Sequence, residues 1–277
     1  MSKIEKALSR AREGRGNLQV VPVAGAGVAP APSTTVTVAD PAAHPETISR
    51  MAKSEVRLLN ASDLSVRGII QPGDDPAVQV FRELRTKIIQ QSKGQNAAIL
   101  VTSVSEGCGS SFIARNLGAA FAFDMGKTAL LMDCNLKRPS VHKLLGGKPV
   151  WGLGEYFRNP DLDMKEIIHP VGIARYRVIT SGKQGDTPEE HFSSEKMTHL
   201  MDTLRRRYHE RFIILDGPPM SNIADIRILS ELADYVLIVA GYARSTNTQI
   251  AKCVDAISEK KLLGIIFNDE PRFPRSR

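Results

Sequence analysis

Six short apolar runs separated by helical patterns constrain this chain more than any other feature of its sequence. Ala98–Ser103, Thr128–Asp133, Arg177–Thr180, Phe212–Asp216, Tyr235–Ala240 and Leu263–Phe267 are the strand candidates, and several are apolar without interruption. A strand that is apolar at successive positions must be covered on both faces, which is the situation of strands inside a parallel sheet. Between the runs, Ala77–Gln91 places Phe81, Leu84 and Ile88 on one stripe. Helical periods also cover Ser111–Met125, Glu195–Glu210 and Thr246–Lys260. Strands alternating with helices predict an α/β domain with a mostly parallel central sheet flanked by helices. Ligands of such sheets collect outside the carboxyl ends of the strands.

Three strand ends carry residues of the right type. After Ala98–Ser103 the chain reads VSEGCGSSF, a Gly- and Ser-rich turn feeding a helix. That strand–loop–helix order is the setting of a P-loop, whose backbone N–H groups and helix N-terminus hold phosphates. On the G-x-x-x-x-G-K-[ST] template, Gly109 takes the second glycine and Ser111 the Mg²⁺-binding hydroxyl. The lysine position is Ser110 and the first glycine position is Val104. The loop residues that would surround a nucleotide are Glu106, Gly107, Cys108, Gly109, Ser110, Ser111 and Phe112. The second strand ends at Asp133, followed by Asn135, Lys137 and Arg138, and the third ends at Asp216. A lone aspartate after a strand is ordinary turn chemistry. The ordered set of loop, Asp133 and Asp216 is far more specific.

Bulk properties narrow the setting. The chain has 277 residues, 42% of them apolar, enough for one sizeable core with less structured sequence beside it. No run approaches the roughly 18 to 20 apolar residues needed to span a bilayer. The opening MSKIEKALSRAREGRGN is charged throughout, unlike a signal peptide. Cys108, Cys134 and Cys253 show no paired spacing, which fits a reducing, cytoplasmic home. The net charge of +7 is spread along the chain and suits a solvated surface as well as an acidic partner. Residues 1–16 read as a short helix, 17–60 as a flexible Pro/Ala-rich linker, 61–269 as the folded domain and 270–277 as a basic tail.

The motifs together resemble the bacterial tyrosine kinases of polysaccharide export, the CpsD/CapB-like group within the partition-ATPase-like P-loop proteins. FRELRTKI, VTSVSEGCGSS, LLMDCNLKRPSVHKLLG, GLGEYF, the TSG turn at Thr180–Gly182, FIILDGPPM and ADIRILSELADYVLIVAGYARSTNTQI carry the likeness, over roughly residues 77–268. The opening MSKIEKAL is similar to the subgroup linked to exopolysaccharide and exosortase gene clusters. The resemblance implies a P-loop architecture binding ATP or ADP with Mg²⁺ held by Ser111, Asp133 and Asp216. It implies Asp133 as the base toward a tyrosine hydroxyl, and Asp216 as the second catalytic carboxylate. It also implies self-association through an E-x-x-R-x-x-R helix, here Gln79, Arg82 and Arg85.

The departures fall on the chemistry. Ser110 replaces the phosphate lysine, Asn135 replaces the second aspartate of the A′ box (the D-x-D-x-R run that begins at Asp133), and no tyrosine follows Tyr242. Losing one charge-assisted contact weakens nucleotide binding by roughly 10- to 100-fold. An aimed donor at a transferring group is worth about 10² to 10³ in rate. Lys127, Lys137 or Arg138 could substitute, with Lys137 the best placed in the sequence. The expected function is therefore a cytoplasmic kinase-like component of exopolysaccharide biosynthesis. It would be catalytically impaired, held at the inner membrane by a co-polymerase of the chain-length-determinant type, as a homo-oligomer or beside an active kinase. The alternatives are an active tyrosine kinase with a substitute cation, and a partition-type positioning ATPase. No aromatic–basic module points to nucleic acid, and no histidine spacing points to zinc.

Overall fold

The computed structural model describes residues 19–21, 59–73, 76–146, 150–183 and 188–269. The expected N-terminal helix, most of the expected linker and the basic tail lie outside these residues.

The strands are β1 (Gln19–Val21), β2 (Ala98–Ser103), β3 (Thr128–Asp133), β4 (His169–Pro170), β5 (Tyr176–Ile179), β6 (Arg211–Asp216), β7 (Tyr235–Gly241) and β8 (Leu262–Asn268). They form one eight-stranded sheet in the order β1-β8-β7-β2-β6-β3-β5-β4. The six inner strands run parallel, and the short β1 and β4 close the two edges antiparallel. Strand β1 falls inside the stretch read as linker, and pairs Val20 with Ile266.

Every position of β2, β3 and β6 is buried, as the continuous apolar runs predict. Alternate residues feed opposite cores. Ile99 and Val101 of β2 join Phe81, Leu84 and Ile88 of α2 (Pro76–Gln91) and Ile113, Leu117 and Phe121 of α3 (Ser110–Ala122). Ala98 and Leu100 join Leu200 and Leu204 of α5 (Glu195–Arg207), Leu229 of α6 (Ile223–Leu232) and Ile250 of α7 (Asn247–Asp255). Phe121 and Phe212 stack with ring centroids 4.1 Å apart, fastening α3 to β6.

The structure shortens three helices and adds three. Helix α3 stops at Ala122 rather than Met125, where the Asp124 carboxylate accepts the Gly126 N–H at 3.0 Å and turns the chain. Helix α5 stops at Arg207 because Tyr208 is already extended (φ −144°) on its way into β6. Helix α7 ends at Asp255 rather than Lys260. The unpredicted α1 (Ala61–Val66), α4 (Leu153–Arg158) and α6 have six, six and ten residues, and the first two are too short for a readable period.

Candidate phosphate and cation site

Parallel register brings the candidate residues together. Asp133 sits directly beside Asp216 at the ends of β3 and β6, and Asp216 sits beside Val101 of β2. The loop of residues 104–109, loop A, therefore leaves the sheet one strand away from Asp216 and two from Asp133. Loop A′, residues 134–140, leaves from the other side.

Loop A is a built turn. Val104 N–H donates to the Val239 carbonyl at 2.9 Å, which pins the loop to β7. Gly107 and Gly109 adopt φ of +76° and +91°, a region that side chains strain to enter. A Cβ on Gly109 would stand 2.2 Å from Asn268 Nδ2, so glycine is required there on two counts. The carbonyls of Gly107 and Cys108 accept from Arg244 Nη1 and Asn268 Nδ2, each at 3.0 Å. Gly109 opens the 13-residue α3 without any side-chain cap. The first N–H groups of that helix thus lack the acceptor a cap supplies. An anion is the natural partner for such an end.

The carboxylates are buried almost completely, Asp133 at 0% and Asp216 at 1% exposure. Asp133 Oδ2 accepts the N–H groups of Ser140 (2.8 Å) and Val141 (2.9 Å), and Oδ1 accepts that of Asn135 (3.3 Å). Asp133 is therefore the post around which loop A′ is wound. Burial pushes its carboxyl up, and those three N–H groups pull in the opposite direction. Asp216 is less well provided. Its Oδ2 accepts from Ser140 Oγ at 3.4 Å, the nearby Ser111 hydroxyl favours its charged form, and its Oδ1 is buried with no hydrogen-bond partner. Burial first, and the neighbouring Asp133 second, raise the Asp216 carboxyl well above the ordinary carboxylate range.

Other predicted residues are placed as follows. Ser110 is buried at the start of α3, and Phe112 is half-buried with its ring edge-on to Phe81 at 6.3 Å. Glu106 makes an ion pair with Arg138 of loop A′ at 2.7 Å. Lys137, favoured on sequence as the substitute cation, lines a cleft with Cys134, Leu136, Phe192, Pro218, Asn222 and Asp225. Lys127 lies over the Phe212 ring and donates to Gly94 O, at the amino end of β3. Arg85 donates to the Ala120 carbonyl at 3.0 Å and faces Asp124 at 3.5 Å, so this part of the association motif ties α2 to α3. Gln79 and Arg82 are exposed. Cys108 bonds Ser105 and Ser245, whereas Cys134 lies against Asp133 and Asp216, so the two cysteines have separate surroundings.

Sequence reasoning missed Arg244 and Asn268, which secure loop A from the far side. Their motifs, GYARST and FND, carry no template spacing that marks them. It also left GLGEYF and TSG without a role. Glu155 accepts the N–H groups of Gly152 and Lys183 at 2.9 Å each, which clamps the start of α4 to the turn after β5.

Among known proteins, 31% identity to the tyrosine-protein kinase YwqD of Bacillus subtilis runs over 191 residues, 68% of this chain and 79% of that one. This chain belongs to the bacterial tyrosine-protein kinases. Within that family it is 30% identical to EpsB of Ralstonia solanacearum over 199 residues, 70% of this chain. The kinase-family chain spans about a quarter of EpsB's length (26%). Among solved structures, the chimerical protein CapA2B2 superposes with a TM-score of 0.66 at 25% identity, covering 82% of this chain and 99% of that one. No family model matches the chain. No described helix of this kinase-family member is long and apolar enough to cross a membrane.

Proposed function

We propose that this family member is a kinase-like component of exopolysaccharide assembly that transfers phosphate feebly or not at all and acts through what it binds. The observation that carries the reading is the state of Asp133. The residue that would take a proton from a tyrosine hydroxyl has both oxygens engaged by loop A′ N–H groups and is sealed from solvent. A general base must lie within hydrogen-bond reach of the proton it removes, and Asp133 is built into the loop instead. Ser110 at the lysine position supports the same conclusion, since the one basic residue of α3, Arg115, donates to the Arg67 carbonyl at 3.1 Å.

The residues fit a Mg²⁺-bound nucleotide as a ligand. The buried, unpartnered Asp216 Oδ1 asks for a donor or a cation. Mg²⁺ binds through one or two carboxylates together with waters and phosphate oxygens, and Asp216 with the Ser111 hydroxyl offers the protein's share of that donor set. Among the described residues no third carboxylate, histidine or cysteine completes an all-protein cage. When bound, the ion would neutralise the carboxylates and the phosphates together. The chain itself contributes the open N-terminus of α3 for the phosphates, Ser111 and Asp216 for the ion, and Asp133 to hold loop A′ in place.

In this reading the partner is a membrane co-polymerase or an active kinase, and the nucleotide sets the shape of the surface it meets. The test is the purified chain incubated with Mg²⁺–ATP and probed for phosphotyrosine, on itself and on a co-polymerase's cytoplasmic segment. No incorporation above an Asp216→Ala control is expected, with co-polymerase binding retained. Sustained tyrosine phosphorylation that Asp133→Asn abolishes would return the chain to the active kinases.

A further inference from the structure

The feature that the proposed function leaves unused is the ion pair across the mouth of the site. Strand β6 lies between β2 and β3 in the sheet. A contact from loop A to loop A′ must therefore cross over the end of β6, where Asp216 sits. Glu106 and Arg138 make that contact at 2.7 Å, with side chains 55% and 70% exposed. The strands and loops that the pair joins carry two buried carboxylates, one with an oxygen lacking any partner, and a 13-residue helix whose N-terminus has no side-chain cap. Among the described residues Arg244 also touches loop A, and it is occupied with the loop's own backbone, while Lys137 lines the cleft of Cys134, Pro218 and Asp225.

We propose that Arg138 is the phosphate-binding cation of this chain, replacing the missing loop lysine from the opposite loop, and that Glu106 is its resident competitor. Glu106 occupies the position from which a phosphate would recruit Arg138, and it places a negative charge where phosphate must arrive. An exposed ion pair of this type is weak and screened, so it opens readily. An incoming polyphosphate offers the guanidinium several oxygens in bidentate geometry and outbids a single carboxylate. Opening the pair uncovers Asp216 at the same moment that Arg138 turns inward. The ligand class is a nucleoside di- or triphosphate with its divalent ion.

This inference rests on reading loop A as a nucleotide site, and its test separates the two. Mg²⁺–ADP is titrated calorimetrically into the full chain and into exposed-residue variants. Glu106→Gln keeps the loop's size, removes the competitor and is expected to tighten binding about tenfold. Arg138→Gln is expected to weaken it about tenfold, and the double variant to lose the gain that Glu106→Gln brings. Lys137→Gln is expected to leave affinity unchanged. The proposal is overturned if Glu106→Gln does not tighten binding, if Lys137→Gln carries the loss instead of Arg138→Gln, or if neither the native chain nor Glu106→Gln binds Mg²⁺–ADP at millimolar concentration. Binding with the native chain but no response to Glu106→Gln would remove the gate and leave the proposed function standing. Sustained tyrosine phosphorylation would remove the proposed function whatever the gate does.

Discussion

Two acidic residues near the carboxyl edge of the sheet are treated in opposite ways. Glu155 sits in the GLGEYF–TSG clamp with Oε2 accepting from Gly152 N–H and Oε1 from Lys183 N–H, and Arg158 stands 3.7 Å away. Asp216 sits at the end of β6 with one oxygen buried and unpartnered beside a second carboxylate. Glu155 is complete in the chain as it stands; Asp216, in the proposed reading, is completed by the cation it binds. The difference separates a carboxylate that holds the fold from one whose hydrogen-bonding capacity the described residues leave unfilled.

The largest effect is expected on the clamp. A Cβ on Gly154 would lie 1.8 Å from the Lys183 carbonyl oxygen, and one on Gly152 would lie 2.3 Å from that of Thr180. Both obstacles are backbone, so neither can swing aside. Gly154→Ala should cost about 3 kcal/mol, read from the urea midpoint. A loss below about 1 kcal/mol would mean that the clamp is loose and that the contrast with Asp216 is overdrawn.

Asp216 should respond with the opposite sign. Its folded-state pKa is raised, so the native protein keeps a proton that the unfolded chain releases near about pH 4. Native stability is then full below that point and declines as pH rises through neutrality. Asp216→Asn removes the titration and should stabilise the ligand-free protein at pH 8 by about 1–3 kcal/mol, with no gain at pH 4. Millimolar Mg²⁺ with ADP should raise the melting temperature of the native chain and leave that of Asp216→Asn nearly unmoved. A variant less stable than the native chain at pH 8 would show that Asp216 is already satisfied.

The sequence carried the fold further than it carried the site. Runs such as Ala98–Ser103 and Thr128–Asp133 coincide with the observed strands because burial on both faces leaves a continuous apolar signal. Asp133, Asp216 and Ser111 were legible because strand ends and the loop template fix their place. The hydrogen bonds were not. Nothing in DCNLKRPS says that Asp133 will accept the backbone N–H groups of Asn135, Ser140 and Val141, since that depends on how loop A′ folds back. Nor does spacing choose Arg138 over Lys137. Adjacent side chains on a turn point in different directions, and only the fold shows that one meets Glu106 while the other faces Asp225's cleft.

Arg85 lies between the two extremes and gives the finest comparison. Its Nη1 is bonded to Ala120 O at 3.0 Å, whereas its Nε is buried without a hydrogen-bond partner. Arg82, one turn earlier in the same motif, is exposed. If Arg85 works chiefly as a tie between α2 and α3, Arg85→Ala should lower stability by about 1 kcal/mol. Arg82→Ala should stay within about 0.5 kcal/mol. Sedimentation of the same two variants separates this from self-association. An intramolecular tie predicts that Arg85→Ala shifts the denaturation midpoint with its sedimentation coefficient unchanged. The reverse pattern, a smaller species with native stability, would assign Arg85 to a contact between chains and make its partly satisfied guanidinium a second group, after Asp216, whose partner comes from outside.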